Sequence, residues 1–166
     1  MHLDVEDLRD FYATPLGHAV RRLLTQQVRA RWPSAKGLTV VGMGFASPYL
    51  GIYRNEARRT GAFMPASQGA LVWPSSGPVR SVLAQERYLP LADNSVDRLL
   101  AVHSLEQWGR PGPLLREFWR VLAPEGSLLL VVANRRGVWA RFDSSPFGYG
   151  QPFSRPQLSG LLRESQ

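Results

Sequence analysis

The chain has 166 residues, 44% of them hydrophobic, which is enough for one packed domain with a sizeable core and excludes general disorder. It holds no cysteine, so disulfide scaffolds, thiol catalysis and cysteine-bound metals are excluded. The net charge is +7, but the arginines are spread along the chain and Lys36 is the only lysine, so nucleic acid is not the expected partner.

Taken from the amino terminus, Met1 to Asp7 has neither a basic start nor an apolar stretch, so no signal peptide is expected. Asp4 can cap a helix that Pro15 interrupts near Ala13–Thr14. A second helix sets Leu16, Val20, Leu23, Leu24 and Val28 on one face, which predicts an amphipathic cover for a core, stopped by Pro33. Leu38 to Val41 is a short β-branched run, hence a buried strand, leading into a Gly-x-Gly turn at Gly42 and Gly44. Ser47 reads as a helix cap with Pro48 behind it, and that helix carries Tyr49, Leu50, Ile52 and Tyr53 inward as far as Arg59. Such a strand, turn and helix lets a ligand approach the backbone and meet the positive end of a helix.

Ala62 to Met64 is a second strand and Val79 to Leu83 a third. The crossover between them is rich in Pro, Gly and Ser around Ala70-Leu-Val-Trp73, so any helix there is stunted. A polar connection from Glu86 leads to a fourth strand, Val96 to Val102. Pro113 to Leu122 is a helix burying Leu114, Leu115, Phe118, Trp119 and Leu122; Pro124 to Gly126 is a turn and Leu128 to Val132 a fifth strand. The longest purely apolar run, Leu128 to Ala133, is too short to span a bilayer, and a soluble cytoplasmic protein is expected. The histidines His2, His18 and His103 never pair at ligand spacing, so no metal centre is expected. Continuous apolar strands alternating with helices predict a parallel sheet covered on both faces.

Three motifs in order narrow the fold: Leu89-Pro-Leu-Ala-Asp-Asn-Ser-Val-Asp97, Ala101-Val-His-Ser-Leu-Glu-Gln-Trp108, and the succession from Leu114 to Leu130 through Arg120-Val-Leu and Pro124-x-Gly126. With the strand and glycine turn before them, they resemble the class I S-adenosylmethionine-dependent methyltransferases over about Leu38 to Val132. The resemblance implies an α/β, Rossmann-like three-layer sandwich with parallel strand order 3-2-1-4-5 and S-adenosylmethionine over the carboxyl ends of the strands. It divides the chain into a helical segment (1–36), a cofactor-binding core (37–134) and a tail with a basic, aromatic helix, a lid loop and a last helix (135–166). It places Gly42, Met43 and Gly44 under the methionine moiety, Met64 and Pro65 by the ribose, Gln85, Glu86 and Arg87 by the adenine, and His103 and Ser104 beside the reacting methyl.

The pattern departs from the family at several positions. Val40 stands where an acid is usual, Met64-Pro65-Ala66 where a ribose-binding acid is usual, Gln85 at the adenine aspartate and Ala46 at the third glycine. Losing a charged acceptor for hydroxyls forfeits roughly 1.5–3 kcal/mol. Two functions follow: methyl transfer to a small-molecule or lipid-like acceptor, or a catalytically inactive methyltransferase-like interaction or regulatory module. The Asn/Asp-Pro-Pro-aromatic motif of amino-methylating classes is missing after the fourth strand.

His103 is the candidate general base, or else a hydrogen-bonded wall residue. Glu106 deprotonates or orients a substrate, or caps the next turn; Asn134 is a pocket rim or a plain loop residue, and Tyr49 and Tyr53 read as packing groups. Arg135, Arg136, Trp139, Arg141 and Phe142 fit peripheral contact with an anionic membrane surface, a phosphate-bearing substrate or a partner, or else a solvated helix packed on the sheet. The loop from Ser145 to Ser154 resembles the lid over the substrate entrance, and Pro156 to Glu164 is a helix. No sixth or seventh strand follows, so either the chain is a fragment of a longer domain or a partner chain or second copy covers the fifth strand; self-association or a partner is expected there.

Overall fold

The computed structural model describes residues 4–85, 87–106, 111–134 and 153–165. Strands β1 (Thr39–Gly44), β2 (Arg59–Pro65), β3 (Ser81–Ala84), β4 (Val96–Val102) and β5 (Leu122–Val131) form one parallel sheet in the order β3-β2-β1-β4-β5. This is the expected Rossmann-like order. All six residues of the central strand β1 are buried, because neighbours pair with it on both sides.

One face of the sheet is covered by helices α1 (Val5–Ala13), α2 (Pro15–Arg31) and α3 (Ser47–Leu50), through a core that includes Leu8, Tyr12, Val28, Tyr49 and Leu100. The other face carries α4 (Gly112–Val121) and α5 (Arg155–Glu164), packed on Met43, Leu99, Leu105 and Phe118. Each large side chain buried this way contributes about 1.5–3 kcal/mol. Local signals set the helix starts. The Asp4 carboxylate accepts from the Glu6 amide at 2.8 Å, Thr14 caps α2, and Ser154 with Gln157 forms a capping box on α5.

Several boundaries differ from the sequence reading for physical reasons. β1 runs through both glycines instead of turning at them, because Gly42 and Gly44 keep pairing with β2 or β4. Ala46, not Ser47, holds the cap position of α3, without a side-chain bond. That helix gives way to a 3-10 turn over Gly51–Tyr53 and never reaches Arg59, which already belongs to β2. β3 begins at Ser81 rather than Val79. The Pro124–Gly126 turn survives as an irregularity inside β5, since the register jumps from Val96↔Leu122 to Arg98↔Ser127. On α2, Val28 is buried and Val20 and Leu24 half-buried, but Leu16 and Leu23 are exposed, as is Trp119 on α4.

One hub fastens the fourth strand's approach to α4. The Arg120 guanidinium donates to Glu117, to Asp93 and to the carbonyl oxygens of Leu89 and Leu91, while Glu117 also accepts from the Leu89 amide at 2.7 Å. The guanidinium beside Glu117 holds that carboxyl below the usual glutamate range, and its own affinity for the proton rises in return. Among the described residues no helix is long and apolar enough to cross a membrane.

Candidate functional site

The carboxyl ends of β1 and β4 meet where the chain is most constrained. Gly44 has φ +72°, and a Cβ there would lie 2.3 Å from the Val102 carbonyl oxygen and 3.0 Å from the Ser104 Cβ. Only glycine lets β1 end against β4 in this way. Gly42 serves α3 instead: a Cβ would stand 2.6 Å from both Ala46 Cβ and Leu50 Cδ1. Phe45 turns back at once, its amide donating to Val102 at 2.8 Å.

His103 follows β4 directly and is left-handed, with φ 49°, a conformation rare outside glycine. Its surroundings hold it there. The backbone amide donates to the Val131 carbonyl at 3.0 Å, and the buried Gln68 side chain donates to the His103 carbonyl at 3.1 Å. The ring lies between two partners, with Nδ1 3.1 Å from Glu106 Oε1 and Nε2 3.0 Å from the Tyr12 hydroxyl. Glu106 Oε1 also accepts from the Ala133 amide at 2.8 Å, so it acts as an acceptor. That assigns the proton to Nδ1 and makes Nε2 the acceptor for Tyr12. Burial pushes the Tyr12 phenol well above its ordinary pKa and Tyr49 up to about 12, so both stay protonated.

Tyr12, His103, Ser104 and Glu106 are all buried, and Tyr12 also stacks on Phe45 with ring centroids 5.2 Å apart. Among the described residues three buried polar atoms of this cluster lack a hydrogen bond: Tyr49 Oη, Ser104 Oγ and Glu106 Oε2. The Tyr49 hydroxyl is near enough to perturb Tyr12 but makes no aligned bond with it. Each such vacancy costs about 1–3 kcal/mol, so a polar ligand here gains what the protein alone forgoes. An amino-acid terminus suits the set: its ammonium can donate to a carboxylate oxygen and its carboxylate can accept from two hydroxyls. The residues present therefore fit the methionine end of S-adenosylmethionine.

The other expected contacts are more dispersed. Met43 is fully buried and its side chain packs with Leu99 and Leu105 on the opposite face, leaving only backbone for a ligand. Met64 is buried in the core, where its sulfur accepts from the Leu71 amide at 3.0 Å, and Pro65 is buried beside it. Gln85 and Arg87 lie on an exposed turn closed by the Tyr88 amide donating to Gln85 at 3.1 Å. Asn134 is exposed and bridges to Phe153. Glu86, the lid residues 145–152 and the basic aromatic set Arg135, Arg136, Trp139, Arg141 and Phe142 lie outside the described residues. Among the described residues no group of three or more His, Asp or Glu could hold a metal ion.

Tyr12 and Gln68 were not expected in the site. Tyr12 shares a buried helix face with Val5 and Leu8, and a buried phenol needs a polar partner, which was the one available signal.

Residues 28–130 match the methyltransferase domain family. In structure the chain is similar to a Haloferax volcanii protein solved as the methyltransferase in complex with the Trm112 methyltransferase activator, with TM-score 0.68 and 20% identity over 98% of this chain and 76% of that one. It is similar to the [4+2]-cyclase SpnF at TM-score 0.66 and 23% identity, over 89% of this chain and 57% of that one. A third neighbour is an S-adenosylmethionine-dependent methyltransferase from Thermotoga maritima, at TM-score 0.65 and 17% identity over 97% of this chain and 76% of that one. These likenesses concern the fold. No curated protein matches the chain in sequence. With a matched stretch covering most of its core strands, the chain belongs to the methyltransferase domain family, whose cofactor is S-adenosylmethionine.

Proposed function

We propose that the protein is an S-adenosylmethionine-dependent methyltransferase acting on a small-molecule or lipid-like acceptor. The observation that carries this reading is the trio of unsatisfied buried atoms on Tyr49, Ser104 and Glu106, beside the ends of β1 and β4 where the resemblance places the cofactor. The same trio favours a ligand-binding protein over an inactive module. When bound, S-adenosylmethionine supplies a methyl group activated on a sulfonium.

The chain's own residues hold the methionine end and manage a proton. Ser104, Tyr49 and Glu106 receive the amino-acid terminus, with Gly42, Met43 and Gly44 contributing main chain beneath it. By the family resemblance, Pro65 would serve the ribose and Gln85 and Arg87 the adenine. Both nitrogens of His103 are engaged, so His103 accepts a proton through Tyr12: the phenol gives its proton to Nε2 as it takes one from the acceptor. Glu106 fixes the imidazole and stabilises its charged form. Methyl transfer needs little more than alignment in a dry site, which the burial of this cluster provides.

A protein partner is part of the proposal. The Haloferax relative is solved with one, and β5, like β3, is a sheet edge that a second chain or copy can cover. Labelled methyl transfer from S-adenosylmethionine to a panel of hydroxy, amino and lipid acceptors tests the reaction. Transfer to at least one acceptor, reduced by Tyr12→Phe, is expected; binding of the cofactor without transfer to any would refute the enzymatic reading.

A further inference from the structure

The half of the sheet built by β2 and β3 is the least covered part of the protein. A parallel sheet is normally buried on both faces. Val82 and Leu83 are adjacent on β3 and so point to opposite faces, yet they are 46% and 52% exposed. Val79 just before the strand is 60% exposed, and Tyr88 just after it 75%. The cause lies in the connections: among the described residues no helix forms between β2 and β4. A separate groove of about 330 Å³ lies over β1 and β2, lined by Val41, Arg59, Phe63 and Leu91 among others and by no residue of β3. Among the described residues β3 pairs with β2 alone, and no strand lies beside its far edge.

Charge accompanies this exposure. From Ala57 to Gln85 the sequence carries Arg58, Arg59 and Arg80 and no acidic residue. Arg59 and Arg80 are exposed, and neither enters an ion pair among the described residues. We propose that the β3 edge docks an acidic, extended segment of a partner protein, which adds as a strand beside β3. Its carboxylates meet Arg59 and Arg80, its apolar side chains cover one of Val82 and Leu83, and the aliphatic stems of its acidic side chains lie over the other.

Physical chemistry separates this occupant from the others. A lipid surface offers the edge no regular hydrogen-bond partners, whereas a strand supplies them along its length. A two-fold pairing of two β3 edges brings the acid-free, arginine-bearing stretch of one copy against that of the other, which is repulsive. The inference does not depend on methyl transfer.

The test is fluorescence anisotropy of the intact protein with a synthetic extended peptide alternating Glu and Val, beside its Lys-for-Glu counterpart. Hydrogen exchange on the same mixtures locates the contact. The acidic peptide is expected to bind and to protect the Ser81–Ala84 amides, while the lysine peptide does neither. Val82→Lys with Leu83→Lys, and separately Arg59→Glu with Arg80→Glu, should each weaken binding about tenfold or more. Unchanged melting of these exposed-site variants confirms that they fold. Peptide binding without protection of β3, or binding indifferent to both double substitutions, overturns the proposal. So does sedimentation as a dimer that Val82→Lys with Leu83→Lys dissolves, or β3-dependent binding to phosphatidylglycerol vesicles in place of the peptide.

Discussion

Two side chains organise the polar interior, and they are finished to different degrees. Arg120 makes every contact its geometry offers: two carboxylates and two backbone carbonyls surround it. His103 is equally enclosed by Tyr12 and Glu106, but its cluster leaves Tyr49 Oη, Ser104 Oγ and Glu106 Oε2 unpaired. The first hub is scaffold, closing the approach to β4 against α4. The second retains polar atoms that the protein itself leaves unpaired. Between these two hubs the difference is completeness of hydrogen bonding, although Arg98 Nε, outside both, is buried and unpaired as well.

The sharpest way to break the comparison is at Arg120. Arg120→Ala strips the counter-charge from Glu117, whose side chain is only 9% exposed. A loss of about 3 kcal/mol is expected, read as a melting temperature lower by about 6–12 °C in a chain of this length. Cofactor affinity should change little once the protein is folded. Next comes Gly44→Ala, which forces a Cβ toward the Val102 carbonyl at a left-handed φ. It should destabilise by about 2–3 kcal/mol in thermal unfolding and distort the floor of the site.

Tyr12→Phe is milder in stability, about 1–2 kcal/mol for one unsatisfied buried acceptor. It sharpens the contrast because the His103 Nε2 resonance in nitrogen NMR should move, whereas Arg120→Ala should leave it in place. The smallest effect is on the acid limb. Arg120 holds the Glu117 carboxyl low, so this pair stabilises the fold above the ordinary glutamate range and the contribution is lost as pH falls through the lowered value. Glu117→Gln should flatten that part of a stability–pH profile.

The sheet was legible in sequence where apolar runs have clear ends. Val96 to Val102 is observed as read, and the strand order follows from the motifs around it. Periodicity named the residues sharing a face of α2 but not how much of that face is covered, which is why Leu16 and Leu23 prove exposed. The glycines of β1 signalled a turn; pairing of Gly42 with β2 and β4 and of Gly44 with β4 keeps them in the strand and moves the turn to Phe45. His103 and Glu106 were visible as the polar pair after β4, and the structure brings them together. Tyr12 was not, since its partner lies 91 residues away and it precedes the stretch that carries the family pattern. Gln68, in a segment of turns, gave no periodic signal at all.

Titration calorimetry with S-adenosylhomocysteine addresses the vacant capacity around His103 most directly. The expected result is one site per chain at micromolar affinity, weakened about tenfold by Ser104→Ala and by Glu106→Gln, with both variants folded. No heat and no thermal shift at millimolar ligand, or an affinity that ignores both substitutions, would contradict it.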